Sequence, residues 1–504
     1  MAKRVSHPPT SRSNIVLFMM DTQGARNMHC YGYRRPTTPN IDQIAKEGCL
    51  FENHFVTAPW TLPVHASMFT GRYESGHGAG AQHEGLEPGL PQMGEVFTKN
   101  GYRTVALCNN GWAYDSGNPW SAGTGFEEHI RYGAGNVEAV APYVPSDNPD
   151  ERDNGSFKAV GVACKWIDDN VVRSRSKKPF LMFVNCTEPH DVYNPPEPWR
   201  SRFLPEGVTY EQALAAKGGQ AVTTIGDKPL TIDDWIVQRA LYDAETACLD
   251  HRIGCLAEEL KQRGVYDDTI FIVTGDHGDD QGEHTHYSYH SQNGVYDSVC
   301  KTPLVIRYPK AFKPRTRCKE LVQINDLLPT LMELCEIEDE EARASIQGES
   351  LLAALTGPTR EFALIEAQRA IHVMRRGWTE AGTPADLDVR FANVWYKAAR
   401  TKTHKYIWAS NGADMLFDLK RDPDERWNLI EQKPQLASKL CKALEAKLIS
   451  MEQRYYVDMF KPTNTRSHQP AVTRRLQAWG LYQTGTVAPY DPAEQVRWEQ
   501  EHGK

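Results

Sequence analysis

The residues best suited to chemistry lie in the stretch Thr61–Arg72, which reads TLPVHASMFTGR. Pro63 favours the first turn of a helix and Gly71 favours its end, so the stretch predicts a loop that leads into a short helix. Thr61 then lies at or just before the helix N-terminus, where free N–H groups and the helix dipole favour an anion or a developing alkoxide. His65 follows one turn later. We interpret Thr61 as a candidate nucleophile, with a simple helix cap as the alternative.

Acidic residues and a histidine follow two apolar segments that are far apart in the sequence. Asn14–Met20 predicts a buried parallel strand, and it ends at Asp21. Thr269–Thr274 predicts another strand, and Asp276-His277 follows it between two glycines, in a tight polar turn suited to a metal. Open α/β sheets bind ligands at the carboxyl ends of their strands. We therefore predict one divalent-metal site with four ligands: Asp21, Thr61, Asp276 and His277. The alternatives are turn capping by a strand-end Asp and a histidine-rich surface loop.

Other polar residues are candidates for binding substrate or for moving a proton. His65 is suited to contact the nucleophile or a substrate oxygen, and either His190 or His284 is suited to protonate the leaving group. The predicted substrate contacts are these five residues: Gln23, Asn109, Asn110, His190 and His290. A second metal is an alternative at this end of the site, with ligands drawn from the following set: Glu188, His190, Asp191 and His284.

The order of the predicted elements divides the chain into three parts. Apolar strand patterns alternate with helix patterns up to about residue 360, including a long amphipathic helix over Asp233–Arg263. Beyond that point, short runs such as Tyr396–Arg400, Lys405–Trp408 and Ile371–Arg375 predict an antiparallel sheet, and Lys433–Tyr456 predicts a helix. We predict an α/β catalytic domain over 1–360, a smaller domain over 361–460 and a C-terminal arm over 461–504.

The composition limits the partners and the compartment that we expect. The chain has 504 residues and a net charge of -8, which argues against nucleic acid as the main partner. No apolar window reaches the length of a membrane span, and the run Ile15–Met20 is too short for a signal peptide. The 11 cysteines are scattered without metal-type pairs, so we expect reduced thiols, a cytoplasmic location and no membrane partner. We expect the tail from Lys461 to be an arm that crosses the surface or reaches another subunit of a homo-oligomer.

Taken together, several stretches resemble the sulfatase branch of the alkaline phosphatase superfamily in residue type and in order. The resemblance runs from about Asn14 to Tyr456 and covers most of the chain. The matching stretches are Asn14–Asp21, Thr38–Asp42, Thr61–Arg72 with His77-Gly78, Glu188-Pro189-His190, Thr274–His284, Val295-Tyr296-Asp297, and Leu416–Leu419 with Asp422-Pro423. The resemblance implies a mixed, mainly parallel sheet between helices, with a small C-terminal domain built on an antiparallel sheet. It also implies a small anionic ester as the substrate.

Two departures from the sulfatase pattern bear on the chemistry. Sulfatases carry Cys or Ser in a C-x-P-x-R signature that is converted to formylglycine, whereas the matching residues here are Thr61, Pro63 and His65, and Thr cannot be converted by that route. This version resembles a threonine subgroup and the nucleotide pyrophosphatase/phosphodiesterases, whose nucleophile is Thr. Thr22 stands where sulfatases often carry a second Asp of their calcium site. The Asp276-His277 pair instead resembles phosphonate monoester hydrolases and phosphodiesterases, which favours Mn or Zn over Ca.

These residues predict nucleophilic displacement at a tetrahedral phosphorus or sulfur centre. A threonine ester cannot eject sulfate by C–O cleavage, as formylglycine hydrate does, so water must attack the tetrahedral centre in the second step. We therefore predict a metal-dependent hydrolase of phosphate or phosphonate mono- or diesters that forms a covalent Thr61 intermediate. The alternatives are a sulfatase acting on sulfate esters, a catalytically silent module that binds anions, and a transferase that passes the bound group to an alcohol.

Overall fold

The computed structural model of the chain describes the following residues: 13–81, 85–86, 89–115, 121–123, 125–132, 155–174, 176–191, 193–216, 230–284, 290, 294–370 and 393–453.

A large mixed sheet forms the centre of the molecule. Its eight strands are β1 (Asn14–Met20), β2 (Cys49–Phe55), β3 (Arg103–Leu107), β4 (Glu128–Ile130), β5 (Phe180–Cys186), β6 (Thr269–Gly275), β7 (Leu304–Arg307) and β8 (Thr316–Gln323). They are arranged in the order β4-β3-β5-β1-β6-β7-β2-β8. The pairings are parallel except those of β7, which runs antiparallel to β6 and to β2. The predicted mixed, mainly parallel sheet is confirmed.

The described residues also form helices that precede and follow these strands. In chain order they are α1 (Pro39–Glu47), α2 (Thr61–Thr70), α3 (Glu74–His77), α4 (Met93–Lys99), α5 (Ser156–Ile167), α6 (Tyr210–Ala215), α7 (Ile232–Gln262), α8 (Asp297–Cys300), α9 (Leu327–Leu334), α10 (Glu340–Ser345), α11 (Leu351–Ala354) and α12 (Pro434–Ser450). No described helix is long and apolar enough to cross a membrane.

The central strand β1 buries side chains on both faces of the sheet. Ile15 and Leu17 belong to an apolar cluster that includes residues of α2, α4 and α9, whereas Val16 and Phe18 belong to a second cluster with residues of α1, α5 and α7. A strand covered by helices on both faces must be apolar at every position, which explains the continuous apolar run in the sequence. The first polar side chain after the apolar run Ile15–Met20 is Asp21, which therefore lies at the point where the strand ends.

The C-terminal part of the described chain forms the second sheet. Its strands are β9 (Ala363–Ala367), β10 (Tyr396–Arg400), β11 (His404–Ala409) and β12 (Met415–Asp418), in the antiparallel order β12-β11-β10-β9. Leu440 and Leu444 of α12 pack with Leu364 and Ala399 on one face of this sheet. The predicted antiparallel sheet is confirmed, although the predicted run Ile371–Arg375 and the arm over 461–504 lie outside the described residues. The division of the chain into domains stays a prediction.

Candidate active site

The carboxyl ends of β1 and β6 bring Asp21 and Asp276 together at one edge of the large sheet. The two strands pair in parallel with Met20 opposite Gly275, and both carboxylates are fully buried. The backbone N–H of Thr22 donates to Oδ1 of Asp276 at 2.9 Å, and that of His277 donates to the same oxygen at 2.8 Å. The other oxygen, Oδ2 of Asp276, is buried and has no hydrogen-bond partner in the part of the chain that the structure describes.

Burial governs the charge of these two carboxyl groups. Desolvation raises the pKa of Asp276 to about 7. Desolvation and the negative charge of Asp276 together raise the pKa of Asp21 to about 6. Ionised carboxylates in such a place are costly unless a proton or a cation is shared between them.

His277 presents a nitrogen lone pair to both carboxylates. Its Nδ1–H donates to the carbonyl of Gly278 at 3.1 Å, so Nε2 of the neutral ring is left as an acceptor. Burial lowers the pKa of His277 to about 3, which keeps the ring neutral. Nε2 lies 3.5 Å from Oδ2 of Asp276 and 3.8 Å from Oδ1 of Asp21. One ligand atom from each of these three residues lies within 4.8 Å of the others, an arrangement suited to holding one cation.

Thr61 faces this cluster from the first position of α2. The N-cap of the helix is Trp60, which makes no side-chain cap, and Oγ1 of Thr61 lies 3.3 Å from Nε2 of His277. Thr61 is therefore not the N-cap of α2, and its hydroxyl lies at the cluster formed by Asp21, Asp276 and His277. The helix N-terminus points the same way, which favours negative charge at this place.

His65 lies in α2, one helical turn after Thr61. Its Nδ1–H donates to the backbone carbonyl of Thr61 at 2.9 Å and lies 3.9 Å from Oδ2 of Asp276. The ring packs against Phe69 and Phe183 and is completely buried. His65 thus contacts the main chain of the candidate nucleophile and not its hydroxyl, so its geometry supports a positioning role.

Asn110 holds the first carboxylate in place. Its Nδ2 donates to Oδ2 of Asp21 at 2.7 Å, and its Oδ1 accepts the backbone N–H of Trp112 at 3.0 Å. The hydroxyl of Thr22 donates to the other oxygen of Asp21 at 3.0 Å. Of the two asparagines predicted to bind substrate, Asn110 is therefore at the site, where it orients Asp21.

A second cluster of titratable groups adjoins the first. The ring of His290 lies 4.5 Å from that of His277 and 4.7 Å from that of His190, between ring centroids. Nδ1 of His190 lies 2.6 Å from the carbonyl oxygen of Asp191 and 3.0 Å from Oδ1 of its carboxylate. Burial opposes protonation of His190, but the charge and hydrogen bond of Asp191 raise the pKa of His190 well above its usual value. His190, Asp191 and His290 also offer ligand atoms that lie within 4.8 Å of one another.

Asp279 and Tyr193 complete this second cluster, and no role was predicted for either from the sequence. His290 Nδ1 donates to Oδ1 of Asp279 at 2.8 Å, while the hydroxyl of Tyr193 donates to Oδ2 at 2.5 Å. In the sequence, the one indication of a role for Asp279 is that it belongs to the same turn as Asp276. Its hydrogen bond to His290, which lies 11 residues further along the chain, could not be predicted from the sequence.

The structure corrects the role predicted for His284 as a proton donor or metal ligand. Nδ1 of His284 donates to Oδ2 of Asp280 at 2.5 Å, and Nε2 donates to the backbone carbonyl of Glu425 at 3.3 Å. The ring stacks on Tyr296 with centroids 3.7 Å apart. Both nitrogens are occupied by acceptors, so neither is available to a metal or to a leaving group.

Three further residues that were candidates from the sequence also form hydrogen bonds with other parts of the chain. Gln23 donates to the carbonyl of Gly24 and accepts from the hydroxyl of Thr246, so both ends of its amide are used. Asn109 pairs with the backbone of Tyr132 through both its oxygen and its nitrogen. Both amide groups of Gln23 and of Asn109 therefore bond to the protein framework, which argues against substrate contact as their main role. Glu188, considered for a second metal, accepts the backbone N–H of Ser156 at 3.0 Å and so holds the start of α5.

Comparisons with known proteins agree with this fold. The sequence model of a protein family described as Sulfatase matches residues 13–337. The "Uncharacterized sulfatase YidJ" of Escherichia coli K12 is 27% identical over 83% of this chain and 83% of its own length. An "Ulvan-active sulfatase" of Formosa agariphila is 25% identical over 87% of this chain and 80% of its own length. The crystal structure of a phosphonate monoester hydrolase of Agrobacterium radiobacter superimposes with a TM-score of 0.67 at 19% identity, covering 87% of this chain and 96% of that one.

Proposed function

This chain belongs to the sulfatase family, and from that premise we propose that it hydrolyses phosphate or phosphonate esters through a covalent ester of Thr61. The observation that carries the proposal is the position of the Thr61 hydroxyl. It lies 3.3 Å from Nε2 of His277, at a cluster of two buried carboxylates and one neutral imidazole. A hydroxyl so placed at a helix N-terminus is suited to become a nucleophile.

A divalent cation fits the residues of this cluster. Oδ2 of Asp276 is buried without a hydrogen-bond partner among the described residues, and the lone pair of His277 Nε2 faces it at 3.5 Å. A shared cation would satisfy both atoms, and Asp21 would supply the second carboxylate. One imidazole with two carboxylates favours Mn or Zn over Ca. When bound, the cation would lower the pKa of the Thr61 hydroxyl and offset the negative charge on the ester oxygens.

The chain's own residues then account for the two steps. Oγ1 of Thr61 forms a bond to phosphorus as the bond to the leaving oxygen breaks, and the hydroxyl proton passes to solvent. The leaving oxygen takes a proton from His190, which Asp191 holds in its charged form. Water then attacks the phosphorus atom and gives one proton to His190 as the bond from phosphorus to Oγ1 of Thr61 breaks, and Oγ1 regains its proton from solvent. Asn110 and Thr22 hold Asp21 in position throughout.

Hydrolysis of sulfate esters is the second candidate, and the family supports it directly. The family model and the curated relatives carry the word sulfatase in their descriptions. The chemistry of Thr61 favours phosphorus, because a threonine ester has no second hydroxyl on its carbon through which sulfate could be eliminated. Both substrates share the same in-line attack at a tetrahedral centre, so the difference lies in the second step.

Two alternatives to this proposal differ from it in the number of cations bound per chain. A silent anion-binding module would not need Thr61 next to a carboxylate with an unsatisfied oxygen, as Asp276 has here. A second cation held by His190, Asp191 and His290 would exclude His190 as the proton donor, because a ring nitrogen bound to a cation carries no proton and the remaining N–H of a neutral ring is a very weak acid. Elemental analysis after dialysis against Mn²⁺ or Zn²⁺ separates these cases, since we expect one bound ion per chain, against none or two.

The proposal predicts that Thr61→Ala abolishes hydrolysis while Thr61→Ser retains a measurable part of it. Wild type and both variants are assayed with p-nitrophenyl phosphate, bis(p-nitrophenyl) phosphate, a p-nitrophenyl phosphonate and p-nitrophenyl sulfate, each with Mn²⁺, Zn²⁺ and Ca²⁺. We expect Thr61→Ala to lower kcat at least about a thousandfold, because the nucleophile is lost. Mass spectrometry of acid-quenched wild type is expected to find the transferred group on the peptide that contains Thr61.

Different outcomes of that assay contradict different parts of the proposal. Unchanged turnover by Thr61→Ala rejects Thr61 as the nucleophile. Turnover of the sulfate ester alone keeps Thr61 but replaces phosphate with sulfate as the substrate. Thermal unfolding of each variant serves as the control, because the hydroxyl of Thr61 supports no cap of α2 and its removal leaves the fold intact.

A further inference from the structure

The turn that follows β1, residues 21–24, carries one of the two carboxylates of the candidate cation site. At its centre lies Thr22, whose φ of 67° is in the left-handed region and is a genuine outlier for a β-branched residue. Thr22 is fully buried, so contacts with the surrounding protein must hold it in this conformation. A strained residue that is held in this way marks a place where the geometry serves a function.

Each polar group of Thr22 is engaged by a different part of the site. The backbone N–H donates to Oδ1 of Asp276 at 2.9 Å, and the hydroxyl donates to Oδ1 of Asp21 at 3.0 Å. The carbonyl accepts from the hydroxyl of Tyr242 at 2.7 Å. Both carboxylates thus take a hydrogen bond from Thr22, and their orientations depend on the position of its main chain.

Tyr242 lies on α7 and bonds to this turn twice. Besides donating to Thr22, its hydroxyl accepts the backbone N–H of Gly24 at 3.0 Å. One helical turn later on α7, the hydroxyl of Thr246 donates to Oε1 of Gln23 at 3.0 Å, so one face of the helix holds three consecutive residues of the turn. Tyr242 is buried, so loss of its hydroxyl would remove the partner of two backbone groups in a place closed to water.

The same turn also packs closely against the end of β6. A Cβ on Gly275 would lie 2.5 Å from the carbonyl oxygen of Gln23, and one on Gly278 would lie 3.0 Å from Cα of Gly24. Only glycine permits the first of these approaches. The two main chains are therefore in direct contact, so a displacement of the turn after β1 is transmitted to the segment that carries Asp276.

We infer that Tyr242 is a positioning residue for the candidate cation site, because its hydroxyl holds the strained main chain of Thr22, which orients both carboxylates. Among the described residues, the hydrogen bonds of Tyr242 go to the backbone of Thr22 and of Gly24 and to no proposed ligand. The inference rests on the cation site of the proposed function and not on which ester is hydrolysed.

Isothermal titration of the metal-free protein with Mn²⁺ or Zn²⁺ tests the inference without any assay of activity. We expect Tyr242→Phe to weaken Mn²⁺ binding about tenfold, the lower end of the usual effect of losing a group that orients a metal ligand. Phenylalanine keeps the ring, which packs against that of Tyr193 with centroids 5.2 Å apart. The number of ions bound per chain is expected to stay unchanged, because no ligand is removed.

Tyr102→Phe is the matched control for loss of a buried tyrosine hydroxyl. The hydroxyl of Tyr102 donates to the backbone carbonyl of Ser13 at 3.1 Å, next to the opposite end of β1 from Asp21. We expect Tyr102→Phe to leave the Mn²⁺ affinity unchanged, because its hydrogen bond lies away from the turn. Far-UV circular dichroism is expected to show that both metal-free variants fold.

A double-mutant cycle tests whether Tyr242 acts through Thr22. Thr22→Val removes the donor to Asp21 but keeps a β-branched side chain, and we expect it to weaken Mn²⁺ binding about tenfold as well. Independent effects would multiply to about a hundredfold in the double variant. We expect a much smaller loss, because both substitutions disturb the same hydrogen bond.

Each outcome decides the inference. Equal Mn²⁺ affinity of wild type and Tyr242→Phe overturns it, and so does an equal weakening by Tyr102→Phe, because affinity would then follow general stability. A full multiplicative loss in the double variant overturns the route through Thr22. A wild type that binds neither Mn²⁺ nor Zn²⁺ refutes the cation site and this inference together. A wild type that binds Mn²⁺ but turns over no ester refutes the proposed hydrolysis alone, and selective weakening by Tyr242→Phe then still supports the role of Tyr242.

Discussion

Asp21 and Asp276 have raised pKa values chiefly because both carboxyl groups are buried. Among the described residues their ion-pair contacts are with His65 and His277, both of which burial keeps neutral by lowering their pKa to about 3. The carboxylates are instead held by hydrogen-bond donors that fix their direction, chiefly Asn110 on Asp21. Donors that orient a ligand without occupying its binding oxygen usually matter for metal affinity almost as much as the ligand itself.

We therefore predict that Asn110→Ala weakens Mn²⁺ binding about 10–100-fold, because Asp21 loses the donor that orients it. Isothermal titration of the metal-free protein measures the affinity. The neighbouring Asn109→Ala is the matched control, since Asn109 pairs only with the backbone of Tyr132 among the described residues and its loss should leave the affinity unchanged. Equal effects of the two substitutions would show that Asn110 acts through general stability and not through Asp21.

At the scale of elements, the strand ends place the ligands and the loops between them complete the site. β1 and β6 are neighbours, so Asp21 and Asp276 meet without any adjustment of the loops. The residues just after Asp279 are different, because Asp280 and the carbonyl of Glu425 hold them through the ring of His284. The charged form of His284 is favoured here, since the carboxylate of Asp280 and the carbonyl of Glu425 outweigh the cost of burial and raise the pKa of His284.

This charge predicts a pH dependence of stability that belongs to His284. Because the pKa of His284 is higher in the folded than in the unfolded protein, its contribution is fully present below about pH 6.5 and is lost as the pH rises through the folded-state pKa. We expect the free energy of unfolding of wild type to exceed that of His284→Gln by about 1.5–3 kcal/mol at low pH, the usual size for hydrogen bonds to a charged group. Urea unfolding of both proteins from pH 5.5 to pH 9 measures the difference, which should shrink toward high pH; a constant difference would contradict the charged state.

At the scale of the whole molecule, buried ion pairs join the small sheet to the large one. Lys405 on β11 pairs with Asp297 at the start of α8, and Arg400 on β10 pairs with the same carboxylate at 2.8 Å. The cations Arg400 and Lys405 outweigh the burial that would otherwise favour the neutral acid, and they hold the pKa of Asp297 well below its usual value. The inner face of the small sheet also shares an apolar cluster with α2, so the two sheets are linked by charge and by apolar packing.

We predict that Lys405→Met destabilises the protein by about 3–5 kcal/mol, because two buried carboxylates, those of Asp297 and Glu425, lose their shared cation. The matched control is Lys402→Met on the preceding turn, whose ion pair with Glu320 is largely exposed and is worth less than about 1 kcal/mol. Urea unfolding measures both. Similar losses for the two variants would mean that the buried network does not hold the sheets together.

Much of the fold was predictable because its signals are local. The continuous apolar runs of β1 and β6 follow from burial on both faces, and the polar residues that end them, Asp21 and Asp276, follow from the loss of that burial. The alternating shorter runs after residue 360 predicted the second sheet in the same way. The structure shows Gln23, Asn109 and His284 in hydrogen bonds with other parts of the chain, which does not support the roles predicted for them. A polar residue near a strand end looks the same in sequence whether its partner is a substrate or a backbone group.

The sequence by itself determined which residues stand at the strand ends, which family the chain resembles, and that its candidate nucleophile is a threonine. The tertiary structure alone decided which side chains meet there: that Asn110 orients Asp21, that Asp279 pairs with His290, and that His284 is bound by Glu425. The physical reason is that burial and periodicity act over a few neighbouring residues, whereas hydrogen bonds join atoms that the chain brings together from up to hundreds of positions apart.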